Sequence, residues 1–364
     1  MSHISALGDN NLFITTMKTL RSLSLLISMA LLVASCQQDP QSANGPNLPL
    51  AQGGHGGGGS TTPANPAITY ISSTTSHGHT TWGIAVMDTS GANQTVIYTP
   101  STGYIVYNPT WSPTGGSIAF AESDFSLGVS AIKVIDVSVN SSGVAVGSNL
   151  RTIASWSASD SEGVFNNDDD CGPAWCQQST TGKIAFLLYH TNWSGSPNHY
   201  RTDLCTIPQA GGTVTMLATR TPSNNGVADM LFAPTWSPDD SHIAARVFAG
   251  GPDPVLVFDM TGAVTDSTPL ATTSTNRPVR WSHSGLNELV IGSGGTNPMY
   301  YLTPGSSPTS ESITGSTGTW SPNNSGIMYL NGGAMLKVIP NTTTATTVLS
   351  SASGIGGNLD WRQN

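Results

Sequence analysis

A chain of 364 residues with 9% charged residues, Gly at 40 positions and Pro at 23 lacks the Ala, Glu, Lys, Leu and Arg content of a coiled coil or helix bundle. It favours short strands joined by Gly/Pro turns. A net charge of −9 with only 12 Lys and Arg leaves too little positive charge for an extended nucleic-acid interface. The chain opens with a targeting segment: Lys18 and Arg21 make a positive region, and Ser22 to Ser35 is apolar and uncharged. This run is shorter than the ~20 residues a membrane span needs.

The apolar run ends in Val33-Ala34-Ser35-Cys36, which resembles the lipobox of bacterial lipoproteins. The resemblance implies a signal peptide over 17–35, cleavage before Cys36 and lipidation of that cysteine. Met17 would be the start, with 1–16 an upstream extension. Gln37 after the cysteine would direct the protein to the outer membrane of a Gram-negative host, facing the periplasm or the cell surface. An ordinary secretory signal with a chance cysteine is the alternative. Residues 36–66, which include GGHGGGGS at 53–60, have the composition of a flexible linker and cannot bury enough surface to fold.

The remainder repeats. PTWSPTGGSIAF begins at Pro109, PAWCQQSTTGKIAF at Pro173, PTWSPDDSHIAA at Pro234, PVRWSHSGLNELVI at Pro278 and GTWSPNNSGIMYL at Gly318; LDWRQN closes the chain. The tryptophans fall at 111, 175, 236, 281, 320 and 361, with spacings of 64, 61, 45, 39 and 41 residues. A propeller blade takes about 40–50. Each unit reads as a strand a bearing the Trp, a turn, an apolar strand b such as Ile118-Ala119-Phe120, a strand c often ending in Asp, and a Thr/Val-rich strand d. The region opens at Ile68-Thr69-Tyr70-Ile71 with a strand b that has no strand a before it. It ends at Leu359-Asp360-Trp361 with a strand a that has no b after it. Pairing the two removes the open edge. The expected fold over 67–364 is all-β: a six-bladed β-propeller of four-stranded antiparallel blades, closed by the C-terminal strand. The motifs resemble the TolB-like propeller repeats, most closely at Trp236-Ser237-Pro238-Asp239 and less at Trp175 and Trp281, where the Ser or Pro is replaced. TolB itself carries an α/β domain ahead of its propeller, where this chain has a linker.

In such blades the a–b and c–d turns share one face, and the b–c and d–a loops share the other. The second set holds the long segments: 73–81, 157–170, 188–202 and 219–233. Long loops on one face of a rigid scaffold are where function is carried. Three groups stand out there. Asp168, Asp169 and Asp170 offer hard oxygen ligands suited to Ca²⁺, or form a solvated acidic loop. His77, His79, His190 and His199 could meet at a metal, or never converge. Tyr189, Trp193, Tyr200 and Arg201 have the composition of a binding hot spot, or pack the long loop against its own blade. His190, His199, Asn224, Asn225 and Asp229 complete the expected ligand-binding face. The repeat tryptophans are expected to be wedges between blades. With Cys36 lipidated, a Cys171–Cys176 disulfide is the favoured pairing, against three reduced thiols.

The sequence has no G-x-S-x-G elbow, no H-E-x-x-H and no phosphate loop. The leading expectation is a monomeric, non-catalytic binding or scaffold module of the cell envelope. Its partner would be an envelope protein segment or a glycan, with membrane contact through the lipid anchor alone. The alternative is a metal-dependent propeller lyase or hydrolase acting on polysaccharide.

Overall fold

A computed structural model describes residues 64–363, apart from 77–78, 158–159, 161, 165–171, 192–199, 222–229, 249–251, 274–277, 284, 293–297, 317, 332, 341, 343, 352–353 and 356–357. Six blades follow in chain order. Blade 1 holds β1 (Ile68–Ser76), β2 (His79–Met87) and β3 (Thr95–Tyr98). Blade 2 holds β4 (Ile105–Trp111), β5 (Ser117–Asp124), β6 (Val129–Val139) and β7 (Ala145–Trp156). Blade 3 holds β8 (Glu162–Gly163), β9 (Ala174–Trp175), β10 (Lys183–Thr191), β11 (Tyr200–Pro208) and β12 (Thr215–Arg220). Blade 4 holds β13 (Met230–Trp236), β14 (His242–Phe248), β15 (Pro252–Asp259) and β16 (Val264–Thr273). Blade 5 holds β17 (Val279–Trp281), β18 (Leu289–Ile291), β19 (Pro298–Leu302) and β20 (Thr309–Thr314). Blade 6 holds β21 (Gly318–Trp320), β22 (Ile327–Asn331), β23 (Ala334–Val338) and β24 (Ala345–Leu349). The last strand, β25 (Asp360–Trp361), returns to blade 1 and pairs antiparallel with β1, Ile68 against Trp361 and Thr69 against Asp360. The expected closure is therefore the observed one.

The repeat motif has a local cause. The serine after each Trp accepts the backbone N–H that starts the next strand: Ser112 from Ser117, Ser237 from His242, Ser282 from Glu288 and Ser321 from Gly326, at 2.9–3.1 Å. Four residues after the Trp the chain turns left-handed, at Gly115, Asp240, Gly285 and Asn324 (φ 55–91°). Glycine, Asn and Asp tolerate that conformation best. In blade 3 Cys176 takes the serine's place, and its Sγ accepts the Lys183 N–H at 3.4 Å. Cys176, expected to pair with Cys171, is thus a free, buried thiol; Cys171 lies outside the described residues. Burial raises the Cys176 thiol to about 11 and the Cys205 thiol to about 12, which keeps both protonated.

All six repeat tryptophans are buried in apolar clusters that cross from one blade to the next. Trp111 packs with Ile71 and Ile84 of blade 1; Trp320 packs with Val290, Met299 and Tyr301 of blade 5. The innermost strand of blade 3 is broken. Gly163 pairs with Tyr189 and Ala174 with Ala185, so 164–173 interrupts a strand that is continuous in blade 2. The stretch 157–170 is therefore not a simple loop between blades, because β8 inside it already belongs to blade 3.

Candidate functional site

Blade 3 carries a charged network at the end of β10. The Nδ1 of His190 lies 3.1 Å from Glu162 Oε2, and its Nε2 lies 2.8 Å from Asp203 Oδ2. Arg201 donates to the same Asp203 oxygen at 2.8 Å. Burial works to raise the Asp203 carboxyl, but the hydrogen bond from His190 and the charges of His190 and Arg201 outweigh it, and the group is held below the usual carboxylate range. On one side of the network Val164 N–H donates to Ser130 Oγ of blade 2; on the other, Leu231 N–H of blade 4 donates to Thr202 Oγ1. Val164 follows β8, His190 lies at the end of β10 and Leu231 at the start of β13, so the connections from β8 to β9, from β10 to β11 and from β12 to β13 each start or finish at this one root on the b–c/d–a face.

His190 is buried and held between carboxylates, so it anchors this root, and Arg201 is bound into it. Tyr189 is half-buried beside them, and Tyr200 opens β11. Trp193, His199, Asn224, Asn225, Asp229, His77, Asp168, Asp169, Asp170 and Cys36 lie outside the described residues, and His79 is placed only by its backbone in β2. Among the described residues no three His, Cys, Asp or Glu side chains are grouped to hold a metal ion. On the same face, the b–c tip of blade 2 exposes Phe125 and Leu127, 43% and 57% accessible.

A second constellation was not foreseen. Two residues after the Trp, blades 2, 4 and 6 have Pro113, Pro238 and Pro322, whereas blades 3, 5 and 1 have Gln177, His283 and Gln363. These three meet. His283 Nδ1 lies 3.1 Å and Gln363 Nε2 3.4 Å from Gln177 Oε1. Gln177 Nε2 donates to the carbonyls of Trp236 and Ser282 at 2.8 and 2.9 Å, which fixes the amide's orientation. The His283 ring lies between two acceptors, Gln177 Oε1 and the Trp320 carbonyl, and burial depresses it to about 4. The group caps a small cavity of about 40 Å³. Innermost strands of all six blades line it, which places it on the propeller axis. Asp360 reaches into this cavity. It accepts Trp111 N–H at 2.7 Å and the Thr110 hydroxyl at 3.2 Å, and burial raises its carboxyl to about 6 against the pull of Arg280. The signal was present in the sequence as departures from the repeat, but only closure of the ring brings alternate blades together.

No protein-family model matches the sequence, and no curated protein does. Solved structures share the architecture. A chain of the nidogen/laminin complex is similar over 82% of this chain and 98% of its own, with a TM-score of 0.54 and 9% identity. TolB from Acinetobacter baumannii is similar with a TM-score of 0.49 and 15% identity, over 82% of this chain and 65% of its own length. Putative TolB from Agrobacterium tumefaciens is similar with a TM-score of 0.44 and 12% identity, over 82% of this chain and 98% of its own. At these identities the likeness is one of fold. No helix among the described residues is long and apolar enough to cross a membrane.

Proposed function

We propose that the propeller is a non-catalytic binding module of the bacterial cell envelope that engages a protein segment or a glycan on its b–c/d–a face. The observation that carries this is the shared root of the three insertions around His190, Asp203, Arg201 and Glu162. Ordering long loops costs roughly 1–2 kcal/mol per residue. A buried ion network that holds their ends together supports loops that act as one surface. Trp193, Tyr200 and Tyr189 are the anchors, and His199, Asn224, Asn225 and Asp229 are polar contacts around them. Exposed Phe125 and Leu127 extend the surface over blade 2. That a chain of the same fold is part of a nidogen/laminin complex fits a propeller used for protein binding.

The attachment of the linker fits the same picture. Ala64 N–H donates to the Gly143 carbonyl, Asn65 N–H to Asp88, and Arg362 to Asn65 Oδ1, at 2.7–2.9 Å. These groups lie at the c–d turns of blades 1 and 2 and beside the closing strand, so the chain enters on the a–b/c–d face.

The test is a pull-down from the native envelope, together with a glycan array, using the propeller and its Trp193→Ala/Tyr200→Ala variant. Loss of the captured species by ~2 kcal/mol or more in affinity, at an unchanged melting temperature, supports the reading. Capture unchanged per folded molecule refutes it. Cys36→Ala should move the protein out of the membrane fraction. A wild-type protein with no acyl mass on its N-terminal peptide would remove the anchor.

A further inference from the structure

We propose that the axial cavity is a hydrated site, in which bound water completes the hydrogen bonds of the Trp111 and Trp175 indoles and links them to the Asp360 carboxylate. The indole nitrogens of both tryptophans are buried and have no hydrogen-bond partner within the protein, and both residues line the cavity. Buried donors of this kind are rare and call for an acceptor. The repeat shows what the donor seeks when it finds one: Trp236 Nε1 donates to the carbonyl of Ala174, on the innermost strand of the preceding blade, at 3.0 Å. Trp111 and Trp175 hold the same place in their blades without that bond. Trp320 Nε1 is also unpartnered but does not line this cavity.

The chemistry of the walls selects the occupant. Arg280 and the two indole N–H groups oppose a cation, and the Asp360 carboxylate opposes an anion. Thr110 and Thr235 already accept backbone N–H groups, from Trp175 and Trp281, so their oxygens add little acceptor capacity. A neutral molecule that both accepts and donates satisfies every wall at once. It must also be small, because the cavity measures about 40 Å³. Water needs about 10–15 Å³ of such volume and two or more polar partners. The Gln177, His283 and Gln363 side chains, joined to one another, close the site on the a–b side.

The decisive experiment is a crystal structure at about 1.5 Å of the protein soaked in bromide. Density within hydrogen-bond distance of both indole nitrogens, with no anomalous signal, is the expected result. An anomalous bromide peak would make the site an anion site and overturn the proposal, as would a cavity without density. In solution, the indole N–H resonances of Trp111 and Trp175, assigned with Phe variants, should show cross-peaks to long-lived water. The resonance of Trp236 should not. Cross-peaks absent from both tryptophans would equally sink the idea.

Discussion

The imidazole of His283 lies 3.1 Å from the side-chain oxygen of Gln177, although 106 residues separate them and a whole blade stands between their own. Both occupy the place that proline takes in the repeats beginning at Pro109, Pro234 and Gly318. Proline takes the second position of the turn and has no side-chain donor, so it leaves the axis to the backbone. A Gln and a His at the same point reach inward instead. Gln177 also holds the carbonyls of Trp236 and Ser282, and Asp240 of blade 4 accepts its backbone N–H at 2.7 Å. Blades 3, 4 and 5 are thereby tied at the centre, where the strands are closest and packing alone leaves polar backbone exposed.

Gln177→Ala should cost roughly 1–3 kcal/mol of stability, because two buried carbonyls lose their donor. Ligand capture by the opposite face should be unchanged. Denaturant unfolding read beside the pull-down would test both parts; an unaffected midpoint would show that the axial bonds contribute nothing.

Asp360 makes closure pH-dependent. Its carboxyl is raised to about 6 from an ordinary 3.8, so the folded state binds its proton more tightly than the unfolded chain does. The ionised form therefore weakens the fold above pH 6, and that weakness is relieved as pH falls from 6 towards 4. Displaced by about two pH units at ~1.4 kcal/mol each, the group accounts for ~3 kcal/mol. Asp360→Asn keeps an acceptor for Trp111 and should be more stable at pH 7.5, with a flatter stability profile. A variant as pH-dependent as the wild type between pH 4 and 7 would exclude the carboxyl as the cause.

The charged root in blade 3 has the opposite sign. The Asp203 carboxyl is depressed, so it stabilises the fold at neutral pH and this contribution is lost as pH falls below about 4. Asp203→Ala should destabilise by roughly 3–5 kcal/mol, because both His190 and Arg201 lose the buried carboxylate oxygen they share, and of the two carboxylates beside His190 only Glu162 remains. Amide exchange at Leu231, which is bonded to Thr202, should accelerate with it. Protection at Leu231 equal to the wild type would separate the network from the insertion ends.

Closure joins β25 to β1 through two residue pairs, with the Arg362 N–H also donating to the Ala67 carbonyl at 2.7 Å, and through the Trp361 side chain. Trp361 packs with Ile68, Tyr70 and Met328 across the seam between blades 1 and 6. Trp361→Ala should cost about 3–5 kcal/mol, as for other buried aromatics, and lower the melting temperature of the whole propeller in a single transition. A biphasic melt would show that blade 1 opens independently.

The architecture was legible because it rests on local chemistry that recurs from blade to blade. Trp fills a seam in all six; in four of them Ser holds the turn and a residue tolerant of left-handed backbone follows. Continuous apolar runs such as Ile118-Ala119-Phe120 then give strands buried on both faces. The unmatched strands at Ile68 and Trp361 identified the closure, since an open edge is costly wherever the chain runs. The candidate site was legible only as a region. His190 and Arg201, which flank one long insertion, come together on Asp203. Their division into anchors and free groups depends on which carboxylates approach, and Glu162 arrives only because the innermost strand of blade 3 is interrupted and resumed. The axial group was beyond the sequence for the same reason. Gln177, His283 and Gln363 stood out merely as departures from a motif, 80 to 186 residues apart. Sequence spacing sets which face of a strand a side chain takes, whereas closing six blades into a ring sets which side chains face one another across the axis, through burial and hydrogen bonds that no local pattern contains.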